Sequence, residues 1–361
     1  MSMHLRKAVG SLMVVGLSGH QLSAIERAWL RLIAPSGIIL FTRNIQDDRQ
    51  THALLNDAAD LCAPNAFRCV DVEGGSVDRL RTVLAPMPSA QRVANTGNPA
   101  RMRAHGELIA RALRAFGFNT TLAPVLDLST PLCAGVLGSR TASSNPEEVV
   151  QYTRQFLAGL ARHGVIGCGK HFPGLGSATL DSHLVTPSIA RSWHSLWNED
   201  LAPYRELHRE LPMIMVNHAA YPETPGKEKP ASISPFWITT VLRKRMSYQG
   251  IIFSDDMEMG GILNSMPIEE AAIAALRAGI DLIEICHSPA LILGCYESLL
   301  REAERSARFR ALLLSRAATV ASHRSHFFVR PLPVPLSQKK LEALRVRIFR
   351  FSEQVEKDQS A

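Results

Sequence analysis

Short apolar runs alternate with helix-like segments along most of this chain, and this alternation restricts the possible folds more than any other feature. Each run is bounded by glycine, proline or polar residues, which is typical of a buried strand. The predicted strands lie within residues 11–15, 37–41, 67–70, 119–125, 165–169, 213–216, 250–253 and 278–285. Eight units in which a strand is followed by a helix predict an α/β fold, a single (β/α)8 barrel of the TIM type.

Some of the intervening segments indicate where helices begin and which face is buried. Residues 23–32 predict an amphipathic helix with Ile25, Trp29 and Leu32 on one apolar face, and further helices are predicted at 50–61 and 99–116. Asn145 precedes Pro146 and is suited to be the N-cap of another helix, because acidic residues follow in the first turn.

The length of the chain agrees with one barrel and a short extension. Two domains are the default for 361 residues, of which 46% are hydrophobic, but one barrel accounts for most of this length. We expect the barrel in residues 1–325 and a Pro-rich linker with a basic amphipathic C-terminal helix in 326–361. Leu341, Leu344, Ile348 and Phe351 recur there at helical spacing. Packing against the barrel is favoured, and binding to a membrane surface or a partner is the alternative.

The composition argues against several other classes of protein. The net charge is +7, but the basic residues are scattered and rarely interleaved with aromatics, so no nucleic-acid partner is expected. The six cysteines form no C-x-x-C pattern, which indicates neither a zinc site nor a disulfide framework. The N-terminal segment is similar to a signal peptide, although a first strand is preferred, and no run is suited to span a membrane. We expect a cytoplasmic protein without stable membrane insertion, and a monomer is favoured.

Polar side chains follow the ends of most predicted strands. The carboxyl ends of barrel strands converge on one rim, where active sites of this fold are formed. Acidic, basic and imidazole groups without a phosphate-binding glycine loop suit a hydroxyl-rich ligand. Any one of these side chains, considered alone, has a simpler alternative role, such as a helix cap for Asp255 or a salt bridge for Arg43. The rim residues are Arg43, Asp71, Lys170, His171, Asn217, His218, Asp255 and His287.

The segment KHFPGLGSATLDSH, residues 170–183, follows the fifth predicted strand. Its glycines and proline predict a mobile surface loop. Asp181 lies two residues before His183, and a carboxylate beside an imidazole suits a general acid/base. An aspartate that caps the next helix beside an exposed histidine is the simpler alternative.

Five motifs resemble those of glycoside hydrolase family 3, in the right order and with matching spacing. The resemblance covers residues from about 10 to 316. Within the family, the motifs look most like those of the single-domain β-N-acetylglucosaminidases that act in peptidoglycan recycling. It implies a retaining exo-β-N-acetylglucosaminidase that releases terminal GlcNAc and needs no metal or organic cofactor. The motifs are Asp71-x-Glu73-Gly74-Gly75, Leu122-Ala123-Pro124-Val125-Leu126-Asp127, Lys170-His171-Phe172-Pro173-Gly174, Asp181-Ser182-His183 and Phe253-Ser254-Asp255-Asp256.

The resemblance also implies roles for individual residues. Asp255 would be the nucleophile that forms a covalent glycosyl-enzyme, which water resolves with net retention. His183, oriented by Asp181, would protonate the leaving oxygen and then deprotonate the water, and attack by phosphate stays open as a side activity. Asp256 is expected to point away from Asp255, because strand side chains alternate. The residues expected to bind the terminal sugar are Asp71, Arg79, Arg140, Lys170 and His171, with His218 and Met259 as further pocket residues.

Two positions depart from the family pattern, and three other functions stay open. Leu175 stands where the family pattern PGHG has a histidine, and Ser177 stands where an acidic residue follows it, which leaves the loop packing and the leaving-group preference open. A β-glucosidase or β-xylosidase of the same family is one alternative, and a sugar-binding barrel that has lost catalysis is another. A Schiff-base aldolase that uses Lys170 is the third.

Overall fold

A computed structural model describes residues 3–178, 186–227, 229–328 and 335–360. Eight parallel strands form a closed barrel in this part of the chain, which confirms the predicted fold class. The barrel strands are β1 Met13–Gly16, β2 Gly37–Leu40, β3 Phe67–Val70, β6 Thr120–Thr121, β7 Ile166–Phe172, β8 Met213–Val216, β9 Ile251–Asp256 and β10 Leu282–Ile285. A separate antiparallel hairpin is formed by β4 Val72–Gly74 and β5 Val77–Asp78.

The helices surround the barrel and are capped largely as expected for their sequences. Asn145 accepts a hydrogen bond from the Glu147 amide at 2.8 Å, which confirms the predicted N-cap. A π-helical segment covers Phe236–Arg245. The α-helices are α1 Met3–Gly10, α2 Ala24–Ile33, α3 Asp48–Ala59, α4 Ala90–Ala94, α5 Pro99–Ala115, α6 Pro146–Arg162, α7 Trp193–Asn198, α8 Ala202–Leu207, α9 Gly260–Leu263, α10 Ile268–Ala278, α11 Pro289–Arg305, α12 Ala307–Phe327 and α13 Gln338–Ser360.

The buried face of α2 differs from the predicted one. Ile25 is 75% exposed and Leu32 is 49% exposed, whereas Trp29, Leu30 and Ile33 are buried. Both sets of residues recur at helical spacing, because two apolar stripes overlap on this helix. Periodicity alone therefore could not decide which of the two stripes contacts the barrel.

Two barrel strands contain an extra residue relative to a neighbour. Along β7 the pairing moves from Gly169 to Phe172 while the partner β8 advances only from Ile214 to Val216. Along β9 it moves from Phe253 to Asp256 while β10 advances only from Leu282 to Glu284. Such β-bulges change the direction of side chains where they occur. Both bulges lie at the rim that carries the predicted site.

The tail helix α13 packs on the barrel through its apolar face, against α4 and α5. Phe351 is buried and stacks on His105 with ring centroids 6.1 Å apart. Arg345 Nε donates to the carbonyl of Leu84 at 2.7 Å. Much of the predicted Pro-rich linker, residues 329–334, lies outside the described residues. Within the described ranges, no helix has the length and apolar character needed to cross a membrane.

Candidate active site

A cavity of about 190 Å³ lies at the carboxyl ends of the barrel strands. Asp71, Arg79, Arg140, Lys170, His171 and Asp255 all line this cavity, so the structure brings together these six predicted site residues. The other two, Asp181 and His183, lie in residues 179–185, outside the described part of the chain. Polar lining residues that the sequence analysis did not place in the site are Glu73, Asp256 and Glu284.

Lys170 occupies the centre of a buried ion network. Its Nζ lies 2.9 Å from Asp71 Oδ1 and 2.7 Å from Glu73 Oε1. Arg140 binds Glu73 with two hydrogen bonds, Nε to Oε2 at 2.8 Å and Nη2 to Oε1 at 2.9 Å. Burial acts to lower the pKa of Lys170, but Asp71 and Glu73 outweigh it and raise that pKa. The lysine is therefore held as a cation, which opposes the Schiff-base alternative.

Glu73 balances the charge of the two cations. Burial acts to raise its pKa, but the Arg140 guanidinium and the Lys170 ammonium lower the pKa of Glu73 to about 2. The second oxygen of Asp71, Oδ2, lies 3.9 Å from Arg79 Nη2, which is beyond hydrogen-bond distance. A carboxylate oxygen of this kind can accept hydrogen bonds from ligand hydroxyls.

His171 is oriented by a carboxylate that follows the fourth barrel strand in the chain. Asp127 Oδ2 lies 2.6 Å from His171 Nδ1 and accepts from the His171 amide at 3.1 Å. The second oxygen, Asp127 Oδ1, accepts from the Leu175 amide at 2.7 Å. The imidazole is therefore fixed with Nε2 near the guanidinium of Arg140, at 3.4 Å. Asp127 appeared in a family motif, but nothing in its local sequence showed that it would bind His171.

Residues 173–178 correct the prediction of a surface loop. Pro173, Gly174, Leu175, Gly176 and Ala178 are all buried, and Leu175 lines the cavity. Turn-forming residues predicted the absence of regular structure, but they do not distinguish an exposed turn from one that is packed beneath neighbouring loops.

Asp255 combines partial burial with a cationic environment. Burial acts to raise its pKa, but His171, His218, the Asp256 amide and Lys170 together lower the pKa of Asp255. The carboxylate is therefore ionised at neutral pH in a cavity of limited size. An anionic carboxylate in such a place can attack an electrophilic carbon or stabilise developing positive charge.

Asp256 does not point away from the cavity, which corrects the expectation from strand alternation. Both Asp255 and Asp256 line it, because the β-bulge between β9 and β10 interrupts the alternation at this point. Burial raises the pKa of Asp256 to about 7; the charges of Glu258 and Asp255 act in the same direction, and the hydrogen bond from the Glu258 amide opposes them.

Three of the predicted rim residues support the site without lining the cavity. Arg43 donates to the carbonyls of Leu17 at 3.1 Å and Cys286 at 2.6 Å, so it joins the ends of β1 and β10. Asn217 Nδ2 donates to the His171 carbonyl at 2.9 Å, and His218 Nε2 lies 3.0 Å from the Asp256 carbonyl. Met259 and His287 do line the cavity.

One group among the described residues has the composition of a metal site. The ligand atoms of Asp256, Glu258 and His287 lie within 4.8 Å of one another. Backbone amides already donate to both acids, from Glu258 to Asp256 Oδ1 at 3.0 Å and from Ser288 to Glu258 Oε1 at 2.7 Å. These contacts account for the acidic groups, and we assign no metal to them.

Residues 4–311 match the family model described as the glycosyl hydrolase family 3 N terminal domain. A β-hexosaminidase of Methylococcus capsulatus is 39% identical over 287 residues, which cover 78% of this chain and 85% of that protein. The crystal structure of NagZ from Neisseria gonorrhoeae in complex with N-trifluoroacetyl-D-glucosamine is 30% identical, with a TM-score of 0.72, and the match covers 86% of this chain and 98% of that one. A fungal multidomain β-N-acetylglucosaminidase matches 96% of this chain with a TM-score of 0.88 and 27% identity, and this chain spans 42% of its length.

Proposed function

The chain belongs to glycoside hydrolase family 3 and is a glycoside hydrolase, and from this premise we propose that it is a retaining exo-β-N-acetylglucosaminidase. The observation that carries the proposal is the position of Asp255, ionised and partly buried at the mouth of the barrel beside groups suited to bind a sugar. The relatives named β-hexosaminidases support the choice of an amino sugar.

In the proposed reaction, Asp255 attacks the anomeric carbon and displaces the leaving group. The carboxylate forms a glycosyl ester, and water then cleaves this ester so that the configuration is retained. His183, oriented by Asp181, donates a proton to the leaving oxygen and later accepts one from the water. The sequence predicts that both residues belong to a loop, and we propose that closure of this loop completes the site over the bound sugar.

The terminal sugar is proposed to lie among Asp71, Arg79, Arg140, Lys170 and His171. Asp71 accepts hydrogen bonds from ring hydroxyls, while the cationic groups donate to other oxygens. The cavity volume of about 190 Å³ is below the roughly 300–1,000 Å³ of pockets for drug-sized ligands, so it accommodates one sugar unit. This size supports an exo-acting enzyme that removes one terminal residue.

The proposed natural substrate is GlcNAc β-linked to a muramic-acid product of peptidoglycan turnover, and the proposed compartment is the cytoplasm. All six cysteines are unpaired, and unpaired cysteines are typical of proteins in a reducing compartment.

Hydrolysis of paired aryl β-N-acetylglucosaminides and β-glucosides tests the proposal. Asp255→Ala should lower kcat for the N-acetyl substrate on the order of 10⁴-fold or more. His183→Ala should lower it by about 10²–10⁴-fold with a poor leaving group, and far less with an activated one, because only a poor leaving group needs the proton. Asp60→Ala makes the same change as Asp255→Ala at the exposed C-cap of α3 and should leave kcat unchanged.

Three results would contradict the proposal. Preference for the glucoside would assign the chain to the β-glucosidase branch of the family. Full activity of Asp255→Ala would contradict the proposed mechanism, in which Asp255 is the nucleophile. No activity of the wild type on either substrate would favour a sugar-binding barrel that has lost catalysis.

A further inference from the structure

Glu284 of β10 is a buried carboxyl group that no step of the proposed reaction uses. It is 2% exposed and lines the same cavity as Asp71 and Asp255. Its backbone is fixed, because its amide donates to Ser254 Oγ at 3.0 Å and its carbonyl accepts from the Met257 amide at 2.9 Å. By contrast, its side-chain Oε1 has no hydrogen-bond partner among the described residues.

The charged groups around Glu284 come from several strands and are mostly acidic. Asp71 follows β3, and Asp255 and Asp256 end β9, with Asp256 directly opposite Glu284 in the strand pairing. The Lys170 ammonium of β7 acts to lower the pKa of Glu284, but that cation is already bound to Asp71 and Glu73. The buried thiols of Cys69, Cys168 and Cys286 lie close enough to interact with the charge of Glu284, and Cys286 also lines the cavity.

This environment keeps a proton on Glu284. Burial raises its pKa well above the ordinary value, and Asp256, Asp71 and Asp255 raise it further. A protonated carboxyl group carries one O–H donor and is uncharged. Glu284 is therefore a donor in a cavity where Asp71, Asp255 and Asp256 are acceptors when ionised.

An unsatisfied buried polar group in a barrel interior requires an explanation. The interiors of such barrels are filled mainly by branched apolar side chains, and Ile283 and Ile285 beside Glu284 are of this kind. A buried polar atom without a partner costs free energy, and a leucine of similar size would avoid that cost. The polar group gains a partner when a ligand oxygen enters the cavity.

We propose that Glu284 donates a hydrogen bond to an oxygen of the sugar bound in this cavity, and that it helps to determine which sugars bind. The proposal rests on the proposed function, since it concerns the same cavity and the same amino sugar. It adds a neutral donor from within strand β10 to the charged groups that follow the strands at the rim.

Two variants of the full chain separate a binding role from a structural one. Glu284→Leu removes the donor and keeps a side chain of similar size, whereas Glu284→Gln keeps a donor in the same place. We expect the dissociation constant for N-acetylglucosamine, measured by calorimetry, to rise about 10–100-fold in Glu284→Leu and less than about threefold in Glu284→Gln. The Tm of Glu284→Leu should equal or exceed that of the wild type, because no bonded partner is lost.

Deoxygenated ligands then identify the contact. The wild type and Glu284→Leu are compared for binding of N-acetylglucosamine, its 3-deoxy, 4-deoxy and 6-deoxy analogues, and glucose. We expect one of these analogues, the one that lacks the oxygen bound by Glu284, to lose about tenfold more affinity for the wild type than for Glu284→Leu. The variant has already lost the hydrogen bond to that oxygen. Equal penalties in both proteins for every analogue would overturn the proposal, as would unchanged affinity of Glu284→Leu for N-acetylglucosamine.

The outcome is distinguishable from a failure of the proposed function. A wild type that neither binds N-acetylglucosamine nor hydrolyses its aryl glycosides would contradict the proposed function directly. A wild type that does both, with a Glu284→Leu variant that behaves identically, would contradict only the role of Glu284.

Discussion

Lys170 Nζ and Glu73 Oε1 lie 2.7 Å apart and join the seventh strand of the chain to the β4–β5 hairpin. Both side chains are almost fully buried. The second cation on Glu73, Arg140, reaches it from a separate segment between β6 and α6. The cationic wall of the cavity is therefore assembled from three distant parts of the sequence around one carboxylate.

Removal of the Glu73 charge should destabilise the protein strongly at neutral pH. Glu73→Gln leaves two buried cations with less compensation, so we expect the free energy of unfolding to fall by about 3–5 kcal/mol. In the exposed pair of Arg154 and Glu206, Glu206→Gln should cost less than about 1 kcal/mol. Urea unfolding of the three proteins at neutral pH measures both effects.

The effect of Glu73→Gln should also depend on pH with a definite sign. The pKa of Glu73 is about 2 in the folded protein and about 4.3 when unfolded. A depressed pKa contributes stability that is complete above the unfolded value and is lost as the pH falls towards the folded value. The difference between wild type and variant should therefore shrink below about pH 4, and a difference that stays constant would contradict this assignment.

Asp256→Asn should have the opposite pH dependence. The pKa of Asp256 is raised to about 7 from about 3.9 in the unfolded chain, so the folded wild type loses stability as the pH rises between these values. The asparagine cannot ionise and still accepts the hydrogen bond from the Glu258 amide.

Unfolding of Asp256→Asn and wild type at about pH 4 and pH 8 checks this expectation. Relative to the wild type, the variant should gain up to about 4 kcal/mol between these conditions, which corresponds to the whole pKa shift. The same stability of the variant relative to the wild type at both pH values would show that the surroundings of Asp256 do not keep its carboxyl group protonated.

The C-terminal helix is predicted to be part of the folded unit. Phe351 is 4% exposed and stacks on His105, while Phe349 on the opposite face is 49% exposed. Phe351→Ala should lower the free energy of unfolding by about 3–5 kcal/mol, whereas Phe349→Ala should change it by less than about 0.5 kcal/mol. Similar effects of the two changes would mean that the helix does not depend on this contact.

The sequence was sufficient to predict the barrel and much of its rim. Apolar runs bounded by turn residues marked the eight strands, and the geometry of the fold placed Asp71, Lys170, His171 and Asp255 together without any contact being known. The family resemblance added Arg79 and Arg140, which lie away from the ends of the barrel strands in sequence and still reach the cavity.

The rest depends on contacts between distant residues. The bulges in β7 and β9 are properties of strand pairing, and local alternation therefore predicted the wrong direction for Asp256. Asp127 binds His171 across 44 positions of sequence. Glu284 lay inside an apolar run, where its charge gave no sign that it would line the cavity.

The most direct test of the account is to trap the proposed covalent intermediate and locate it in the sequence. The full chain is inactivated with a 5-fluoro N-acetylglucosaminyl fluoride, digested, and analysed by tandem mass spectrometry. The mechanism predicts one sugar ester per chain, on the side-chain carboxylate of Asp255. A sugar ester on Asp256 or any other residue would contradict the central claim that Asp255 is the nucleophile.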